Sequence, residues 1–181
     1  DRVVGWFVGV LSSPIDFTDY LYLNDYSPLD GHSTVWNDTP PSSSVFTVGT
    51  NNGTNESGED YIAYCFHSIE GYSKVGVYDG NGADDGTFVY TGFRPAMVIF
   101  KRYETGDNQD WEIYDNKRGT YNAQSGIINP NDGAVESSAT FGDFLSNGFK
   151  VRGDRGPTNR DGVGYLYIAF AESPFKTANA R

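Results

Sequence analysis

Apolar and polar residues alternate along short stretches of this chain, and each stretch ends in a turn sequence. Val75 and Val77 show period two, as do Phe149 and Val151, the spacing of a strand with one buried face. Runs rich in β-branched and aromatic residues occupy 3–10, 20–23, 44–48, 61–67, 73–78, 87–90, 96–101, 111–115, 149–152 and 165–171. Between them lie Asn51-Asn52-Gly53, Asp79-Gly80-Asn81-Gly82, Asn147-Gly148 and Asp161-Gly162, residues that favour tight turns. No window of about twelve residues keeps a helical period free of Gly and Pro. The pattern allows single helical turns, for example at 142–145. Strands at this spacing predict an all-β fold, a two-layer antiparallel β-sandwich of jelly-roll or lectin-like type. Tyr64, Phe66, Tyr167 and Phe170 are expected in its core.

The apolar blocks recur. Trp6-Phe7-Val8 matches Trp111-Glu112-Ile113, Tyr22-Leu23-Asn24 matches Ile127-Ile128-Asn129, and Trp36 matches Phe141, each 105 positions apart. Residues 44–48 resemble 147–151 at an offset of 103, and Tyr61-Ile62-Ala63-Tyr64 matches Tyr167-Ile168-Ala169-Phe170 at 106. Blocks at nearly one spacing predict an internal repeat of about 105 residues. The expectation is one β-sandwich domain over 1–181, with 1–78 a truncated first repeat half and 88–176 the second. The apolar strand at 93–102 has no counterpart before residue 1. The repeat therefore expects a strand supplied by a longer parent chain or by a neighbour, through β-augmentation of an unpaired edge.

Composition narrows the class. The 181 residues suffice for a sizeable core without staples. With 13 Tyr, 12 Phe and 3 Trp the chain is not disordered, and 22 Gly with 20% charged residues exclude a coiled coil. No run approaches the roughly 20 apolar residues of a membrane-spanning helix, and no signal-peptide pattern opens the sequence. The net charge of −11 argues against nucleic acid and anionic membranes as partners. Residues 1–90 carry two basic and 13 acidic residues, whereas 91–181 carry 11 of each. An acidic first half suits a solvated face, or a meeting with cations or a basic neighbour. Cys65 is the single cysteine, so no internal disulfide forms. Its apolar surroundings predict a buried, inert thiol, and one Cys with two His leaves little for a zinc site.

Candidate chemistry is sparse. Asp79, Asn81, Asp84 and Asp85 place oxygen donors in a Gly-rich loop, which suits calcium, although the spacing is not that of an EF-hand. Asn129-Pro130-Asn131-Asp132-Gly133 reads mostly as a turn. His32 and His67 lie near no nucleophile motif and there is no G-x-S-x-G elbow, so the chain is read as a non-enzyme. Paired carboxylates of a glycosidase are not recognisable by spacing alone. Asn37-Asp38-Thr39, Asn52-Gly53-Thr54 and Asn55-Glu56-Ser57 are sequons that matter only in a glycosylating pathway. Arg152-Gly153-Asp154 fits a strand-end turn. Tyr20, Tyr22, Tyr26, Tyr72, Tyr103 and Tyr121 sit beside Asp, Asn and Gly. Such loop tyrosines suit sugar stacking or subunit interfaces.

Several blocks carry a resemblance. They are Thr34-Val35-Trp36-Asn37-Asp38-Thr39, the segments 43–49 and 61–74, Phe88-Val89-Tyr90-Thr91-Gly92-Phe93-Arg94-Pro95-Ala96, Ile113-Tyr114-Asp115-Asn116-Lys117-Arg118, and the segments 143–150 and 167–176. Together they resemble a domain of unknown function from virion proteins of tailed bacteriophages of marine and freshwater bacteria. That domain often ends long tail-fibre-like chains. The resemblance implies a virion structural protein on the particle surface, a homo-oligomer that contacts other virion subunits. It further implies host attachment through a surface glycan or protein, with a capsid decoration or filament subunit as the alternative. It carries no catalytic motif, so no residue inherits a role from it. The start at Asp1 departs from the family pattern, in which an earlier Phe-x-Pro strand is expected.

Overall fold

The computed structural model describes residues 5–104, 106 and 108–175. Residues 3 and 4 of the first apolar run, and residue 176 of the second repeat half, lie outside the described residues. The strands are β1 (Phe7–Val8), β2 (Asp19–Tyr22), β3 (Asp30–Gly31), β4 (Ser73–Asp79), β5 (Phe88–Tyr90), β6 (Pro95–Arg102), β7 (Glu112–Asp115), β8 (Gln124–Ile127), β9 (Ser137–Leu145), β10 (Gly148–Val151) and β11 (Gly164–Ala171). Two single-turn helices, α1 (Ser33–Trp36) and α2 (Asn52–Asn55), lie between β3 and β4. The fold is all-β, as the alternation predicts.

The strands form three antiparallel sheets, ordered β1-β2-β3, β5-β10-β9-β8 and β4-β11-β6-β7. The two four-stranded sheets face each other over an aromatic core of Tyr78, Phe100, Tyr114, Phe141, Phe144, Phe149, Tyr165 and Tyr167. Phe100, Phe141, Phe144 and Phe149 are fully buried, each stabilising the fold by roughly 2–3 kcal/mol relative to exposure. At one edge the two sheets are joined by reciprocal main-chain bonds between Ile113 and Ile128, at 2.9 and 3.2 Å.

Two layers were expected and a third is present. The other face of the β4-β11-β6-β7 sheet, carrying Val75, Val77, Ile99 and Leu166, packs against Val10, Ile15 and Leu21 of the N-terminal region. Because this central sheet is covered on both sides, β11 is apolar at consecutive positions rather than alternating. Tyr165 and Tyr167 enter the aromatic core while Leu166 enters the second. Trp111 Nε1 donates to Tyr22 O at 2.8 Å, tying the N-terminal layer to the sandwich. Phe17, Tyr20, Val35 and Trp36 form a third, smaller cluster beneath α1.

Four local expectations are corrected. Residues 142–145 continue β9 instead of forming a helical turn. Gly142 permits this, with φ +156° and a position where a Cβ would run into Lys150 O. Residues 44–48 form no strand: Pro40 and Pro41 lack donors, and Ser42 closes a turn by donating N–H to Val45 O at 2.8 Å. Residues 61–67 form no strand either. The adjacent edge of β4 is already engaged, since Ser68 Oγ accepts Val75 N–H at 3.0 Å and Ile69 bridges Ser73. Tyr64, Phe66 and Cys65 consequently lie on the surface, not in the core, with the rings 68% and 63% exposed.

Candidate functional site

The acidic loop 79–86 was expected to offer oxygen donors to calcium. Two of the four, Asn81 and Asp85, have side-chain partners within the fold. Asn81 Oδ1 accepts Ala83 N–H at 3.0 Å, and the fully buried Asn159 donates Nδ2–H to Ala83 O at 3.2 Å and to Gly153 O at 2.7 Å. Asn159 thereby stitches this loop to the 153–162 loop. Asp85 pairs with Lys150, whose hydrogen bond and charge hold its carboxyl below the usual range. Among the described residues no three His, Cys, Asp or Glu side chains converge in a way that could hold a metal ion. Asp79 O accepts the Thr87 hydroxyl and Asp84 O accepts from Arg152.

The six tyrosines do not form one site. Tyr20 and Tyr103 are corrected from exposed to buried, at 8% and 6%. Tyr20 lies on β2 against Phe7 and Tyr22, and its hydroxyl reaches Asp30 Oδ2 at 3.0 Å. Burial raises both phenols above their ordinary value. Tyr22 is half-buried in the same cluster. Tyr26, Tyr72 and Tyr121 are exposed, but on separate parts of the chain.

Two buried polar clusters serve architecture. Arg155 forms a fork with both carboxylate oxygens of Glu112 at 2.9 Å, and donates to Tyr114 at 2.8 Å. Burial works against the Arg155 charge, but Glu112 and Tyr114 outweigh it and raise the guanidinium above its ordinary value. Lys101 is fully buried on the outer face of β6. Its Nζ donates to Tyr26 O at 2.8 Å and Gln109 O at 2.6 Å. Burial lowers its pKa to about 8, against the opposing pull of Asp110 and Asp25. His32 is equally structural, its ring accepting Thr34 N–H as the cap of α1.

The surface feature with binding geometry involves Trp6. Its ring is 55% exposed, and with Leu23, Asn24 and Pro130 it lines a shallow cavity of about 150 Å³. Asn24 Oδ1 accepts Trp6 N–H at 2.7 Å and Leu23 N–H donates to Trp6 O at 2.9 Å, fixing the ring's base. Tyr64 lies near-parallel to Trp6, with centroids 6.4 Å apart and planes at 12°. Asn129 and Asn131 brace the opposite wall through Trp111 O and Trp111 N–H. An apolar ring beside an amide is the chemistry that stacks a pyranose face and bonds its hydroxyls. Sequence reasoning missed this shelf because Trp6 opens an apolar strand, and nothing local distinguishes an outward ring from a buried one.

No curated protein and no solved structure matches the chain. A family model described as Domain of unknown function (DUF7483) matches residues 3–174, nearly the full length. The chain belongs to that family.

Proposed function

We propose that this chain is a non-enzymatic structural domain of a phage virion, a tail-fibre-type module that attaches to a host surface glycan or protein. The shelf of Trp6 and Asn24 carries the reading. It is an exposed ring on a main chain fixed by hydrogen bonds to Asn24 and Leu23, beside the Asn24 amide, on a layer built of short strands and turns. Weak single sites suffice for such a protein, because many copies on one particle multiply their effect. The sequence resemblance supports the phage setting. A lectin-like sandwich built on an internal repeat belongs to the same proposal. In its support, an offset of 105 carries β2 (Asp19–Tyr22) onto β8 (Gln124–Ile127), and each of the two strands sits beside a strand that follows a tryptophan. The alternative, a capsid decoration or filament subunit, is favoured by the exposed apolar segment 61–66.

The test is binding to an array of bacterial envelope polysaccharides by the wild-type chain and by Trp6→Ala. Binding that drops about tenfold or more in the variant, with an unchanged melting curve, supports adhesion through the shelf. Equal binding by both proteins, or none by either at millimolar sites, overturns it.

A further inference from the structure

We infer that residues 61–66 are an assembly strand, through which two copies of this chain pair antiparallel about a two-fold axis. The segment Tyr61-Ile62-Ala63-Tyr64-Cys65-Phe66 is exposed at every position. No hydrogen bond joins its main chain to the rest of the described chain. The same pattern, Tyr167-Ile168-Ala169-Phe170, lies in β11 and is paired on both sides, with β4 and β6. One sequence pattern is thus a satisfied central strand in one place and an unsatisfied one in the other. Tyr64 and Phe66, two residues apart, rest on Trp6 and Phe170, the spacing of an extended chain.

The exposed surface is large. Ile62 is 79% exposed and Tyr64, Phe66 and Tyr61 are 68%, 63% and 44% exposed. Phe170 links Phe66 to Tyr72, and Tyr72 stacks on Phe175 at 5.3 Å. Together these exposed residues present roughly 800 Å² of accessible surface, close to one partner's share of a standard interface.

Charge sets the orientation in which a second copy pairs. The strand is uncharged but flanked by Glu59, Asp60 and Glu70. Parallel, in-register pairing would set each carboxylate against itself. Antiparallel pairing centred on Tyr64 sets Ile62 opposite Phe66, Asp60 opposite Ser68, Glu59 opposite Ile69 and Glu70 opposite Gly58, so no like charges meet directly. The pairing also satisfies the free main-chain groups, as an unpaired edge requires.

The test uses the whole chain in sedimentation velocity, with a short bismaleimide reporting on Cys65, the single cysteine. In the proposed register the two Cys65 residues are diagonal neighbours, roughly 7–8 Å apart. Wild type is expected to sediment as a dimer at about 100 μM and to cross-link in high yield. Ile62→Asp removes apolar area; with Tyr64 as the non-hydrogen-bonded pair, Ala63 N–H points at the partner, so Ala63→Pro blocks main-chain pairing while keeping that area. Each is expected to weaken dimerisation about tenfold or more and to abolish cross-linking, with the melting curve unchanged when measured at monomeric dilution. A monomeric wild type, or a dimer that survives Ala63→Pro, overturns the proposal. Neither result bears on glycan binding by Trp6, which is read in a separate assay.

Discussion

Replacing Lys101 by methionine isolates the energetics of the joint between the N-terminal layer and the sandwich. The ammonium is fully buried and donates to Tyr26 O and Gln109 O, so it holds two loops to one strand. Its folded pKa of about 8 lies below the ordinary 10.5, because burial penalises the charge more than Asp110 and Asp25 favour it. Between these values the unfolded chain binds more protons than the folded one, and stability therefore rises with pH. The full difference corresponds to about 3 kcal/mol, of which about 2.5 kcal/mol is gained between pH 7.5 and pH 10. The neutral amine retains two N–H donors, so both carbonyls stay bonded throughout. Urea unfolding followed by tryptophan fluorescence, at steps across that range, measures wild type against Lys101→Met. Other titrations largely cancel in the difference. The variant is expected to fall behind wild type by about 2.5 kcal/mol more at pH 10 than at pH 7.5. A difference that stays flat within about 0.5 kcal/mol, or that narrows, refutes the argument.

Arg155→Ala leaves the Glu112 carboxylate buried without its fork, and is expected to cost about 3–5 kcal/mol by urea unfolding, with Arg155→Lys costing less. Gly142→Ala places a methyl group against the Lys150 carbonyl and is expected to cost about 3 kcal/mol or more, read as a fall in Tm. Cys65 is exposed in the single chain, so native protein diluted to the monomer is expected to give one equivalent of thiol to Ellman's reagent as fast as urea-unfolded protein does. Protection in the native state would place the thiol inside instead.

Period-two alternation made β4 and β10 legible, and continuous β-branched and aromatic runs made β6 and β11 legible. In each case the residue pattern answers directly to a face that is buried. Residues 61–67 carry the same pattern and predict a strand in the same way. Whether such a run pairs depends on which edge is open, and here Ser68 and the Ile69–Ser73 bridge occupy the edge of β4. That competition involves main-chain groups that composition does not encode. β9 escaped notice because Ser137, Ser138 and Gly142 dilute its apolar content, although Phe141 and Phe144 are fully buried. The third layer escaped too, since Val75, Val77 and Ile99 mark an apolar face without naming its cover. At the candidate site the tyrosines were chosen by polar neighbours. That rule fails for Tyr20, where Asp30 accepts the hydroxyl of a buried ring, and it passes over Trp6 entirely.

The placement of β11 bears on how the chain is made. Among the described residues it follows every other strand in sequence, yet it lies in the interior of its sheet, between β4 and β6. Its pairing joins Gly164 to Asp79 and Phe170 to Ser73, contacts that span about half the polypeptide. While a ribosome is still synthesising the chain, β4 and β6 have no strand to bridge them, and both apolar faces of the central sheet stay incomplete. Folding of this kind is slow and non-local, and the emerging chain must keep its hydrophobic strands from associating with those of neighbouring nascent chains.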